Sequence, residues 1–146
     1  MRTIDMIVLH QTGTATGTVE SIRRYHMEKL GWKDIGYHYV IYRDGSVHKA
    51  RPNGQVGSHC KGDNAGSLGV CCVGAGDGLP VGAGYLTDKQ RKVLLSLVEQ
   101  LARAYRVPIA RIVGHRERPS GKRQGKSCPG YEAETVREEL KKRGLR

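Results

Sequence analysis

Apolar positions along this chain switch between two periods, and the switches divide it into alternating strands and helices. Met6 to Leu9 is an unbroken apolar run, read as a buried strand that delivers His10 at its C-terminal end. Val19, Ile22, His26 and Leu30 recur at i, i+3, i+7 and i+11, which predicts a helix over 19–30, stopped by Gly31. Tyr37 to Tyr42 alternates as a strand, and Val47 to Ala50 returns as its hairpin partner. Asp44-Gly45 between them predicts a two-residue type I′ turn, which needs positive φ at both central positions. Leu68 to Val73 is another apolar run, expected as a central strand.

The second half follows the same logic. Gly74 to Gly84 holds five glycines and a proline and predicts a loop. Thr87-Asp88-Lys89-Gln90 then reads as a capping box, and the helix it opens carries Val93, Leu94, Leu97, Val98 and Leu101 on one face. Pro108 marks its far side. Ile109 to Gly114 predicts a last strand ending at His115, Arg116 to Lys126 a polar loop, and Tyr131 to Arg143 an amphipathic helix. Strands alternating with helices, plus one hairpin, predict an α/β fold: a single-domain mixed β-sheet flanked by helices, spanning residues 1–146.

Composition narrows the class of protein. With one Trp, seven Tyr and no Phe, aliphatic residues must fill the core. No apolar run approaches the roughly 18 residues of a membrane span. MRTIDMIVLH holds one basic residue and then Asp5, and its apolar run is too short for a signal peptide, so synthesis in the cytoplasm is expected. The net charge of +11 favours a polyanionic partner, such as nucleic acid, an anionic membrane or an acidic cell-wall polymer, without choosing among them. A zinc finger, an RNA-binding aromatic motif and an evident helix-turn-helix are all missing, which weakens the nucleic-acid reading. Of the four cysteines, Cys71 and Cys72 are adjacent and must point to opposite faces of a strand; they read as reduced core residues.

The candidate chemistry lies in three separated residues: His10 in IVLHQT, His115 in IVGHRE and Cys128 in GKSCPG. Two imidazoles and one thiolate make a three-ligand zinc site, and catalytic zinc keeps a fourth position open for water. Taken singly, a histidine after an apolar strand is more often a hydrogen-bonded rim residue than a ligand, and a lone cysteine more often packing. No short regular motif such as HExxH decides the matter.

Together, IVLHQT, GWKDIGYHYVIYRDGSV, VGSHCKGDNAGSLGVC, GHRE and KSCPG resemble the zinc-dependent N-acetylmuramoyl-L-alanine amidases, in order and over about residues 5–140. The likeness is greatest to the short amidase lysozymes of T-odd bacteriophages and extends to the peptidoglycan-recognition proteins. It implies an amidase-like fold, one Zn2+ per chain held by His10, His115 and Cys128, and hydrolysis of the amide between N-acetylmuramic acid and L-alanine in peptidoglycan. It further implies catalytic roles for Tyr37 and Lys126 and a cleft-lining, substrate-contacting role for His59. Of the remaining histidines, His38 reads as core or second layer, His26 as part of the helix's apolar stripe and His48 as exposed.

Two departures from the phage pattern stand out. Gln11-Thr12-Gly13 follows the first ligand where phage relatives often carry Cys-Ser-Ala, and the segment between His115 and Cys128 is longer and more basic. Arg116, Arg118, Lys122 and Arg123 are expected to grip anionic wall polymer or outer-membrane head groups. The leading expectation is a monomeric phage or prophage endolysin that acts on the wall after release from the host cytoplasm. A cytosolic muropeptide-recycling amidase and a non-catalytic peptidoglycan-binding or regulatory protein are the alternatives. Binding to the phage RNA polymerase is implied by the resemblance alone.

Overall fold

Among the described residues five strands make one sheet, and its two faces have different fates. The computed structural model describes residues 2–14, 16–75, 86–125 and 128–146. The strands are β1 (Met6–Gly13), β2 (Tyr39–Ile41), β3 (Val47–Lys49), β4 (Ser67–Ala75) and β5 (Ile112–Gly114), in the order β3-β2-β4-β1-β5. Only β2 and β3 pair antiparallel; β2–β4, β4–β1 and β1–β5 are parallel. The helices are α1 (Val19–Arg24), α2 (Asp88–Tyr105), α3 (Pro119–Arg123) and α4 (Ala133–Lys142).

Strand alternation sorts the side chains. Ile7, Leu9, Leu68, Val70, Cys72, Ile41 and Ile112 point to one face, where Leu94, Val98 and Leu101 of α2 and Val136 and Leu140 of α4 bury them. Both helices show the expected apolar stripe, and Thr87 caps α2 as predicted, its side chain accepting from the Gln90 N–H. The Gln90 amide is fully buried and donates to the carbonyls of Val73 (2.7 Å) and Ile41 (3.2 Å), pinning the helix start to two strands. Val8, His10, Cys71 and Val40 face the other way, where α1 covers one end and the long segment 50–66 another. That second face carries the candidate site.

Several local expectations are corrected. Between β2 and β3 only Gly45 has positive φ (+88°), and the Gly45 N–H donates to Tyr42 O while the Tyr42 N–H donates to Ser46 O. The turn therefore spans three residues with a glycine bulge, not type I′; the Asp44 carboxylate accepts from the Ser46 N–H and hydroxyl and stays out of the left-handed region. The helix predicted over 19–30 is α-helical only to Arg24 and continues as a π-helical turn, Tyr25–Lys29. Ile109–Arg111 is a 3₁₀ turn, because the Arg111 N–H bonds back to Pro108 O and pairing with β1 begins at Ile112 opposite Ile7. The polar loop after His115 contains a 3₁₀ turn (His115–Glu117) and α3, whose first position is a proline with φ already set for a helix. His48 is half-buried and stacks on Tyr42 with ring centroids 3.6 Å apart. All four cysteines are free and buried. No helix among the described residues is long and apolar enough to cross a membrane.

Candidate metal centre

His10 and His115 meet because two strands share one register. In β1, Ile7, Val8 and Leu9 pair with Ile112, Val113 and Gly114 of β5, so the histidine that follows each tripeptide stands at the same height on the same face. Their ring centroids lie 4.8 Å apart. Cys128 comes from the turn that precedes α4. Gly114 has no side chain, and a Cβ there would lie 2.8 Å from Pro129 Cδ, so glycine is what lets the Cys128-Pro129 turn pack against β5. The Arg116 N–H donates to Cys128 O (2.8 Å) and the Gln11 N–H to Cys128 Sγ (3.2 Å), fixing the sulfur beside His10 Nδ1 at 3.7 Å.

One ligand atom from each of His10, His115 and Cys128 falls within 4.8 Å of the others. Two nitrogens and a sulfur at that spacing suit a tetrahedral ion with bonds of about 2.0–2.3 Å. His10 is buried, and burial, reinforced by His59 and His115, holds its pKa well below the ordinary histidine value. An imidazole kept neutral retains the lone pair a metal needs.

Tyr37 stands next to this cluster, its ring 5.1 Å from that of His10 and 5.5 Å from that of His26. Burial of the phenol, then the neighbouring thiols of Cys71 and Cys128, pushes its pKa well above 10, and it shares a hydrogen bond with Cys71. It is a proton-bearing group at neutral pH. Lys126 lies outside the described residues.

His59 lies directly behind His10. Its Nδ1 is 2.9 Å from His10 Nε2 and its Nε2 is 3.1 Å from Ser67 Oγ, and burial pushes its pKa down to about 3. It lines the cleft by position, as expected, but both ring nitrogens are engaged inside the protein. His38, fully buried, accepts from the Gly69 N–H through Nδ1 and meets Gln55 O through Nε2. His26 accepts from the Gly36 N–H.

Two of the arginines expected to reach outward are held by carboxylates of the protein instead. Arg118 makes a two-point ion pair with Asp63, Nε to Oδ2 at 3.0 Å and Nη2 to Oδ1 at 2.9 Å. Arg116 pairs with Glu132 at 2.7 Å. Lys122 and Arg123 are exposed. Asp63 is a residue sequence reasoning missed. Besides Arg118, it accepts from Ser67 Oγ through its carbonyl (2.7 Å) and meets Cys60 Sγ at 3.6 Å; Cys60 in turn lies 3.6 Å from Ser120 Oγ, itself 3.4 Å from His115 Nε2. One aspartate thus stands behind both histidines. No sequence signal names Asp63; Gly69, a glycine inside a strand, marks only the close approach of the His59 ring to the backbone.

The cluster floors an open cleft of about 1070 Å³, walled by Thr12, Thr14, Ser58 and Lys61 and rimmed by the exposed side chains of Tyr25 and Leu30. A set of donors that could hold a metal at the bottom of a cleft this size, with a protonated phenol beside it, suits hydrolysis of an extended polar substrate.

Comparison with known proteins agrees. Residues 1–131 match the N-acetylmuramoyl-L-alanine amidase family. The endolysin of Escherichia phage T7 is 37% identical over 131 residues, covering 88% of this chain and 82% of that protein. The endolysin of Enterobacteria phage K11 is 38% identical over 114 residues, 78% and 70% of the two chains. Among solved structures, the N-acetylmuramoyl-L-alanine amidase LysC from Clostridium intestinale superposes with a TM-score of 0.80 at 29% identity, over 96% of this chain and 87% of that one. Fold, cleft and relatives converge, and the chain belongs to the N-acetylmuramoyl-L-alanine amidase family, as a peptidoglycan hydrolase of the phage endolysin kind.

Proposed function

We propose that this amidase works with one Zn2+ held by His10, His115 and Cys128, and that it cuts the lactyl amide between N-acetylmuramic acid and L-alanine. The observation that supports this reading is the meeting of three donor atoms within 4.8 Å, from residues 105 and 13 positions apart, beneath a substrate-sized cleft. When bound, the ion supplies Lewis acidity to the scissile carbonyl and lowers the pKa of water from 15.7 towards about 7. The chain's own groups do the rest. Tyr37, protonated at every relevant pH, donates a hydrogen bond to the oxyanion that develops on the carbonyl, and Lys126 adds a positive charge. Such a donor is worth about 2.7–4 kcal/mol in the transition state. The Cys128 thiolate donates more charge than a third imidazole would and softens the metal's acidity, so these two groups compensate for it.

The enzyme is made in the host cytoplasm and meets the wall after release. Lys122 and Arg123 hold it to anionic wall polymer there. Purified sacculi digested with and without a chelator test the reading by mass spectrometry. Stem peptides with a free N-terminal L-alanine, appearing only when zinc is restored, are the expected products. Intact glycopeptides in both conditions would reject it.

A further inference from the structure

A chain of hydrogen bonds behind His10 has only one consistent assignment of protons. Ser67 Oγ carries one hydrogen and gives it to Asp63 O at 2.7 Å, since a carbonyl only accepts. Towards His59 Nε2, at 3.1 Å, the hydroxyl must then accept, so the neutral ring of His59 is protonated on Nε2 and bare on Nδ1. That bare Nδ1, 2.9 Å from His10 Nε2, accepts a proton from it. The neutral ring of His10 is left with its lone pair on Nδ1, the nitrogen that faces Cys128 Sγ at 3.7 Å.

The site is built to hold this chain. Ser67 is fully buried and His59 nearly so. A Cβ on Gly69 would lie 2.7 Å from His59 Cγ, and one on Gly57 would lie 2.8 Å from His59 Cδ2, so two glycines open the slot that the ring occupies. Asn64 Oδ1 accepts from the His59 and Cys60 N–H groups at 2.9 Å each and fixes the backbone of the loop.

The geometry points to His59 and Ser67 as positioning residues that lock His10 in the Nε2–H tautomer and present Nδ1 to the metal. This rests on the reading of His10 as a zinc ligand. It gives His59 a task inside the protein, in place of contact with substrate. A buried partner of this kind governs metal affinity; its loss typically weakens binding by about 10- to 100-fold.

The test measures zinc affinity by chelator competition, and His10 ring protonation by long-range ¹H–¹⁵N NMR of the zinc-free protein. His59→Leu keeps the bulk and removes the acceptor; zinc should bind about 10- to 100-fold more weakly, with His10 divided between tautomers. His59→Asn puts Oδ1 where Nδ1 stood and should recover most of that loss. Ser67→Ala removes only the hydroxyl, serves should His59→Leu fail to fold, and should loosen the tautomer at both rings. Wild-type affinity and an Nε2–H His10 in His59→Leu, or equal losses in the Leu and Asn variants, would overturn the assignment. Failure of the wild-type protein to bind zinc would instead sink the metal reading, while the His10 tautomer in the zinc-free protein still decides the relay.

Discussion

Arg118 offers the sharpest test of how this site is braced, because its sequence context suggests a surface cation and its contacts say otherwise. Two parallel hydrogen bonds of 3.0 and 2.9 Å tie it to Asp63, and the side chains retain 26% and 15% of their exposure. Exposed ion pairs are worth about 0.2–1 kcal/mol, and hydrogen bonds to charged groups in drier settings about 1.5–3 kcal/mol. A bidentate pair this sheltered should fall between, with a coupling of about 1–2 kcal/mol. A double-mutant cycle of Arg118→Ala and Asp63→Asn, read by urea unfolding with all four proteins in the same metal state, measures it. The pH dependence has a definite sign. The bond from Arg118, working against burial, lowers the Asp63 pKa, so the pair's contribution is complete above the ordinary carboxylate value near 3.9 and disappears as pH falls through the depressed folded value. The gap between wild type and Arg118→Ala should therefore stay constant from pH 7 to about 5 and narrow in more acid solution. Coupling below about 0.3 kcal/mol, or Arg118→Ala that keeps full stability yet loses sacculus binding, would return Arg118 to the role of a substrate contact.

Three further outcomes follow from the same geometry. Gly69→Ala places a Cβ 2.7 Å from the His59 ring, which is tethered at both nitrogens; it should destabilise the fold by about 1–3 kcal/mol and weaken zinc binding together, whereas a silent substitution would deny the slot. Tyr37→Phe should bind zinc normally and lose about 10²- to 10³-fold in turnover, as read by release of stem peptides. Converting exposed Lys122 and Arg123 to Gln should lower sacculus binding and flatten its dependence on salt, with stability unchanged within about 0.5 kcal/mol; unaltered binding would remove this surface from the account.

Much of this architecture was legible because it rests on local rules. The 3.6-residue stripe on 93–101 and the Thr87 capping box became α2, and the apolar runs at 6–9 and 68–73 became the two neighbouring inner strands β1 and β4. Even the meeting of the histidines is written in the chain: Ile-Val-Leu-His and Ile-Val-Gly-His have the same stride, so pairing Ile7 with Ile112 levels His10 with His115. Elements whose hydrogen bonds depart from the regular ladder were misjudged. The π-turn at 25–29 carries the side-chain pattern of an α-helix, and Ile109–Arg111 carries that of a strand, until Pro108 and the edge position of β5 withhold the pairing.

The layer behind His10, His115 and Cys128 was hidden for a different reason. Periodicity reports which face a residue occupies, but a hydrogen bond depends on which residue from elsewhere occupies the adjoining space. Arg118 is one of 25 basic residues and Asp63 one of 14 acidic ones, and neither sequence neighbourhood names the other. The glycines are the exception. Gly57, Gly69 and Gly114 each stand where a Cβ would come within 2.9 Å of a neighbour: the Gly36 carbonyl, His38 and His59 for Gly57, His59 for Gly69 and Pro129 for Gly114. A glycine in an extended segment costs backbone entropy and contributes no packing, so its presence there signals a close approach even before the partner is known. In this amidase the side chains approached are two buried histidines and the proline that follows Cys128, which makes missing side chains the most direct trace the sequence holds of how its candidate metal site is braced.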